Sequence, residues 1–275
     1  MSNSSWWLLE VQTSDPDEVG AQLLERGSAG VEIPAPGLLR SFWNLRDDEV
    51  HTRKAELTAA GLSITSCSLV PERNWVQEAG TSWPVLTPGA LTILPVVSTA
   101  AAPPPAPGTI QIVPGCGFGT GHHATTFMIL ELLQHPAVTA TRPHRSLDLG
   151  TGSGVLALAT AHLYGCPVDA IDTDATALEN AAENTVLNQQ LGLVNLIHGD
   201  VAAARGVYNL ITANIYAEVL CDLEPRFQEH LAVDGSLILS GIMTSLTAQV
   251  EHAYHGWRLI ESRQKDGWCA LLYTR

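Results

Sequence analysis

The chain has 275 residues, 45% of them hydrophobic and 15% charged, a balance that requires a packed globular core and excludes a largely disordered chain. Fourteen Lys and Arg stand against 28 Asp and Glu, a formal net charge of −14, which excludes coating nucleic acid by general electrostatics. Such a surface attracts a basic protein partner; acidity that only maintains solubility explains the same charge.

The length suits one large domain, or a large and a small one. The five cysteines, Cys67, Cys116, Cys166, Cys221 and Cys269, include no C-x-x-C pair, so neither a zinc site nor a thioredoxin-type site is expected. Their odd count and scatter suit a reducing compartment. The opening MSNSSWWLLEVQ has no basic region followed by a long apolar one, unlike a signal peptide. No run of about eighteen apolar residues occurs, so no membrane span is expected and the chain reads as cytoplasmic.

Residues 6–12 read as a strand. Residues 16–26 have helical spacing, with Val19, Leu23 and Leu24 on one face, Asp15 as N-cap, Pro16 at the first helical position and Gly27 as the stop. Strands over 29–34 and 38–45, a helix over 47–61 and a strand over 62–70 complete a β-α-β-β-α-β order. That is the ferredoxin-like arrangement, and it carries no catalytic signature. Residues 1–70 are therefore expected to form a ferredoxin-like recognition domain, with 71–95 as a connector. The stretch AAAPPPAPG (100–108) is too rich in proline for a helix or central strand and reads as a loop between strands near 90–97 and 109–113.

From about residue 145 strands and helices alternate. Strands are expected at 145–150, 168–174, 193–200, 207–215 and 235–242, with helices at 154–164, 175–190 and 217–231. The tail 257–275 reads as a hairpin around Asp266-Gly267. This is a doubly wound α/β domain, spanning 96–275, with an antiparallel hairpin at one sheet edge.

Three strand ends and a turn draw attention. LDLGTGSGVLALA (147–159) ends a strand at Asp148-Leu149 and turns into a helix through Gly150, Gly152 and Gly154. Glycines there let the main chain pass close to a ligand, and also suit a bare tight corner. The spacing G-x-G-x-G differs from the dinucleotide G-x-G-x-x-G, which counts against a nicotinamide-dependent oxidoreductase. Asp172 ends the next strand, where a carboxylate can accept from both ribose hydroxyls, and Asp174 is the better candidate for capping the following helix. Asp200 ends the third strand, where it can accept from an adenine amino group or cap a turn. Asn214 ends the fourth, where it can cap a helix or offer its carbonyl oxygen to a substrate donor. Asp148, Asp172, Asp200 and Asn214 together are expected to form one contiguous site.

VPGCGFGTGHHATTFMILELL (113–133), with DLGTGSG, IDTD and ANIYA, resembles the PrmA family, the methyltransferases of large-subunit ribosomal protein eleven. The resemblance covers nearly the whole chain, including Asn74-Trp75 and Gly267-Trp268-Cys269. It implies a Rossmann-like class I methyltransferase domain, S-adenosyl-L-methionine as cofactor, and N-methylation of lysine side chains or the N-terminal α-amine of that basic ribosomal protein. By resemblance, Thr126, Gly150, Asp172 and Asn214 contact the cofactor or frame its site, and Phe118, Gly119, Thr120 and Gly121 form a loop over its methionine end; Gly152 and Asp200 join the cofactor site by their places in the glycine turn and at the third strand end. Asn214 is the residue expected to orient the attacking amine, so it is the catalytic candidate. His123 matches a histidine of the family pattern and is expected to position other groups, while adjacent His122-His123 do not make a metal site. Val113, Gly117, Ala124 and Tyr216 depart from the pattern, where Asp, Ala, Pro and Leu are usual. These changes bear on the acceptor pocket; a different protein amine or a small molecule is the alternative acceptor.

Overall fold

The computed structural model describes residues 5–28, 30–35, 37–69, 84–96, 102, 104–114, 123–190 and 192–275. Contacts within the chain divide it into two units, Met1–Asn74 and Trp75–Arg275.

In the first unit the alternating apolar residues of β1 (Ser5–Gln12) place Leu9 and Val11 on one face. Strand β3 (Leu38–Leu45) does the same with Leu39 and Trp43. Helices α1 (Pro16–Glu25) and α2 (Asp47–Ala59) contribute Leu23 and Leu57 to that core. With β2 (Gly30–Ala35) and β4 (Ser63–Leu69) the strands form one sheet in the order β2-β3-β1-β4, every neighbouring pair antiparallel. Leu24 departs from expectation: it is 47% exposed, because one step along a helix turns a side chain about 100° away from Leu23.

The second unit starts with two short parallel strands, β5 (Thr92–Pro95) and β6 (Thr109–Ile112). Strand β5 thus falls inside the span assigned to the connector, of which residues 71–83 lie outside the described residues. Helices α3 (Ala124–Leu132) and α4 (Pro136–Thr141) follow. Then come β7 (Ser146–Leu149), α5 (Val155–Tyr164), β8 (Val168–Asp172), α6 (Ala175–Leu187) and β9 (Val194–His198). The chain continues through β10 (Tyr208–Asn214), α7 (Ala217–His230), β11 (Leu231–Met243), α8 (Thr247–Ala253), β12 (Arg258–Lys265) and β13 (Trp268–Thr274).

Seven strands form one sheet in the order β12-β13-β11-β10-β7-β8-β9. Strands β7 to β11 are parallel to their neighbours among themselves, and β13 pairs antiparallel with β11 and β12. Both faces are covered, which explains the near-continuous apolar runs of these strands. Successive residues feed opposite cores: Ala170, Ile238 and Leu272 one, Ile171, Leu239 and Leu271 the other. Asp266 and Gly267 both have positive φ, 51° and 79°, as a two-residue type I′ hairpin turn requires. Two consequences of this order matter for the site. The chain leaves β7 toward β8 on one side and returns to β10 on the other, so the carboxyl ends of β7 and β10 flank the switch point. The antiparallel β13 brings Trp268 opposite Met243 at the same edge.

Candidate cofactor site

A cavity of about 700 Å³ opens at the carboxyl ends of the parallel strands. That size suits a drug-sized or nucleoside-sized ligand. Gly150 and Gly152 after β7, Asp172 after β8, Asp200 after β9 and Asn214 after β10 all line it. The structure therefore brings together the strand-end residues that the sequence singles out, with one exception.

The exception is Asp148, which is fully buried beneath the glycine turn instead of lining the cavity. Its two oxygens accept from Thr151 Oγ1 and Thr212 Oγ1, each at 2.7 Å, so it ties the turn to β10. Burial pushes its carboxyl up to about 6, against the two threonine hydrogen bonds that favour the ionised form and with the neighbouring charge of Asp172 adding to the rise. A carboxyl raised in the folded state binds protons more tightly there than in the unfolded chain. Its contribution is most favourable below its ordinary range and is lost as pH rises through about 6. Over that window the loss is on the order of 3 kcal/mol at most. Asp148→Asn removes the charge at nearly unchanged shape. Urea unfolding at pH 5 and pH 8 should show the variant gaining on the parent as pH rises; an equal difference at both values would contradict the assignment.

Asp172 does more than face the cavity. Its Oδ2 accepts from Gly152 N–H at 2.8 Å and its Oδ1 from Asp174 N–H at 3.0 Å. Each carboxylate oxygen has a second lone pair, so these bonds pre-orient the group without using it up. Asp174 caps α6 by accepting from Thr176 N–H at 2.8 Å, the role its sequence position suggested. Asp200 caps a short 3₁₀ turn over Val201–Ala203, accepting from Ala202 N–H at 2.8 Å while still lining the cavity.

Asn214 is held from behind. Its Nδ2 donates to Thr126 Oγ1 at 3.1 Å. Its Oδ1 is buried, and among the described residues nothing donates to it. A buried carbonyl oxygen without a donor costs about 1–3 kcal/mol, so it marks a place where a ligand donor belongs. Thr126 itself is fully buried and does not line the cavity; it frames the site through Asn214, and the neighbouring Thr125 is the lining threonine. The reason is helical: α3 begins at Ala124, so successive threonines in its first turn face different ways. His123 caps that helix, its Nδ1 lying 2.8 Å from Thr125 Oγ1, and its ring packs edge-on against Trp268 at 4.9 Å between centroids. Both rings line the cavity. Phe118, Gly119, Thr120 and Gly121 lie outside the described residues.

The residue after Asn214 is clamped by two glycines. A Cβ on Gly150, whose φ is +72°, would stand 2.6 Å from Ile215 Cγ2, and a Cβ on Gly241 would collide with the main chain of Ile215. Only glycine lets β11 and the turn after β7 approach the end of β10 this closely. Gly241, Val219 and Leu223 also line the cavity and were not singled out from sequence, and Trp268, noted there only as part of the family resemblance, lines it too. Tyr216, the departure from the family's Leu, is 76% exposed at the same cavity.

The sequence profile described as "Ribosomal protein L11 methyltransferase (PrmA)" matches residues 7–275. This chain belongs to that family. A ribosomal protein L11 methyltransferase from Campylobacter jejuni subsp. jejuni is 32% identical over 262 residues, covering 93% of this chain and 89% of the relative. One from Mesorhizobium japonicum is 40% identical over 169 residues, covering 59% and 58%. Among solved structures, the ribosomal protein L11 methylase from Lactobacillus delbrueckii subsp. bulgaricus is similar with a TM-score of 0.62 and 30% identity, covering 70% of this chain and 99% of that one. The fold of this PrmA-family chain is the class I methyltransferase fold, its sheet order that of a parallel doubly wound sheet closed by an antiparallel pair.

Proposed function

We propose that this chain transfers the methyl group of S-adenosyl-L-methionine to amino groups of ribosomal protein L11, on lysine side chains, the N-terminal α-amine or both. The observation that carries the reading is Asn214, a half-buried amide at the switch point whose buried Oδ1 lacks a donor among the described residues. Family membership supports the reaction and the acceptor.

The cofactor supplies an activated methyl group on a sulfonium. The residues present fit it. Gly150 and Gly152 line the cavity without side chains, and Asp172 and Asp200, also lining it, would accept from ribose hydroxyls and an adenine amino group respectively. The acidic lining of Asp172, Asp174 and Asp200 suits a ligand that carries positive charge. Phe118 to Gly121 are assigned to its methionine end by the family resemblance.

The acceptor amine must be neutral to attack. An α-amine, near ~8, loses its proton more readily than a lysine near ~10.4. The apolar walls made by Ile215, Val219, Leu223 and Trp268 disfavour the ammonium form and lower a lysine further. Asn214 Oδ1 accepts an amine N–H, which aims the nitrogen lone pair, and Thr126 keeps the amide from rotating. His123 is engaged with Thr125 in capping α3, so it positions the helix and is not assigned proton transfer. The proton leaves to water before attack.

The first unit is read as a ferredoxin-like recognition domain. Its β-α-β-β-α-β order and sheet order β2-β3-β1-β4 support this, and the cavity is lined by residues of the second unit alone. A net charge of −14 favours a basic acceptor protein. The protein is read as cytoplasmic: no helix of the described residues is long and apolar enough to cross a membrane, and Cys67, Cys166, Cys221 and Cys269 are free thiols.

Calorimetry tests the cofactor assignment. S-adenosylhomocysteine should bind with a 1:1 stoichiometry and NAD should not; the reverse would refute the reading. A chain starting at Trp75 should retain that binding, because the cavity residues all lie beyond it. Its rate on ribosomal protein L11 should fall by more than tenfold. Full activity from the shortened chain would remove the recognition role of the first unit.

A further inference from the structure

Helix α6 and its C-cap carry three buried asparagines spaced four residues apart, Asn180 and Asn184 within the helix and Asn188 at the cap. The stripe acts as a substitute strand. Asn188 accepts from Gln111 N–H at 2.8 Å and donates to Gln111 O at 2.6 Å. One turn earlier, Asn184 accepts from Val113 N–H at 2.8 Å and donates to Val113 O at 3.4 Å. Asn180 adds a donation to Val113 O at 3.1 Å. Among the described residues strand β6 pairs with β5 alone, and these amides bond the main-chain groups of the β6 segment that face α6.

Asn184 differs from the other two. Its Nδ2 also donates to Ser153 O at 2.9 Å, inside the glycine turn of the cofactor site. Ser153 is fully buried, and the next residue, Gly154, would place a Cβ 3.2 Å from Ala181, which shares the α6 face with Asn184. Besides Asp148, which holds Thr151 Oγ1, two more side chains grip the turn: Asp172 holds Gly152 N–H and Asn184 holds Ser153 O. One amide thus fixes the turn and, through Val113, the strand that leads into the FGTGHHATT motif.

We propose that Asn184 is a positioning residue for cofactor binding, its side-chain amide locking the Gly150–Gly154 turn to the end of β6. The proposal rests on the reading of the cavity as the S-adenosylmethionine site. Asn184 touches no substrate; it acts by removing alternatives from the turn, so that the glycine main chain is set before the ligand arrives.

Asn188 provides a matched control. It also accepts one side-chain hydrogen bond and donates two, to Gln111 O and Asn184 O, is also buried, and does not reach the turn. Asn184→Ala and Asn188→Ala should lower the urea midpoint of the full chain to a similar degree. Calorimetry with S-adenosylhomocysteine should separate them. Asn184→Ala should raise the dissociation constant about tenfold or more, while Asn188→Ala should leave it within about twofold. Equal changes in the two variants would overturn the proposal. If an alanine variant does not fold, the pair Asn184→Ser and Asn188→Ser is compared in the same way and the same contrast decides. Failure of the parent chain to bind S-adenosylhomocysteine would overturn both the proposal and the reading beneath it; binding by the parent with no contrast between variants would overturn the proposal alone.

Discussion

Asn214→Ala should turn over at least a hundredfold more slowly than the parent while binding S-adenosylhomocysteine within about threefold as tightly. The variant deletes the unpartnered Oδ1 and leaves Asp172, Gly150 and Gly152 in place. Orientation of the attacking amine matters mainly in the transition state, so the loss should appear in kcat and not in cofactor affinity. Thr126 Oγ1, fully buried, loses the amide N–H that donates to it, a loss of about 1–3 kcal/mol that should appear in the urea midpoint of the variant and not in cofactor affinity. Asn214→Asp is the sharper variant. It retains an acceptor of the same size and adds a negative charge that stabilises the protonated, unreactive amine. That variant should be slow at pH 7 and recover in part toward pH 9. Rates on ribosomal protein L11 across that range, with calorimetry alongside, check both variants. Near-normal turnover by Asn214→Ala would reduce the residue to a helix-flanking amide.

Asp172→Ala should weaken cofactor binding by between about tenfold and several hundredfold. The parent carboxylate is expected to accept from two ribose hydroxyls, and charge-assisted hydrogen bonds contribute roughly 1.5–3 kcal/mol each before compensation. The structure adds a second loss, because Gly152 N–H and Asp174 N–H both surrender their acceptor. Asp172→Asn separates the two. It can still accept from Gly152 N–H, so the turn survives, but the charge is gone and affinity should lie between parent and alanine variant. Calorimetry on folded protein measures both, and unchanged affinity in Asp172→Ala would remove Asp172 from the cofactor site.

Much of this arrangement is legible in the sequence because it depends on local pattern. The strands ending at Asp172 and Asn214 are bounded by turn residues, and the parallel α/β alternation places their ends on one edge. Cap assignments succeed for the same reason: Asp174 immediately precedes the periodic run of α6. What escapes is whatever depends on distant pairing. Gly241 and Trp268 reach the cavity only because β11 lies beside β10 and β13 returns antiparallel. Asp148 reads as a site residue from its place at a strand end, but its side chain is turned under the glycine loop, where Thr151 and Thr212 enclose it. Helices α4 and α8, of six and seven residues, are too short to show a helical period. The asparagine stripe of α6 has visible spacing, yet polar residues on a helix read as a solvated face until the strand they grip is known.

The proposed reaction moves a methyl group from S-adenosyl-L-methionine to amines of ribosomal protein L11. Tandem mass spectrometry of that protein, after incubation with the full chain and cofactor carrying a deuterated methyl, tests it most directly. Labelled methyl groups are expected on lysine side chains, the N-terminal α-amine or both, strongly diminished with Asn214→Ala. Unlabelled ribosomal protein L11 after incubation with a chain that binds S-adenosylhomocysteine would contradict it.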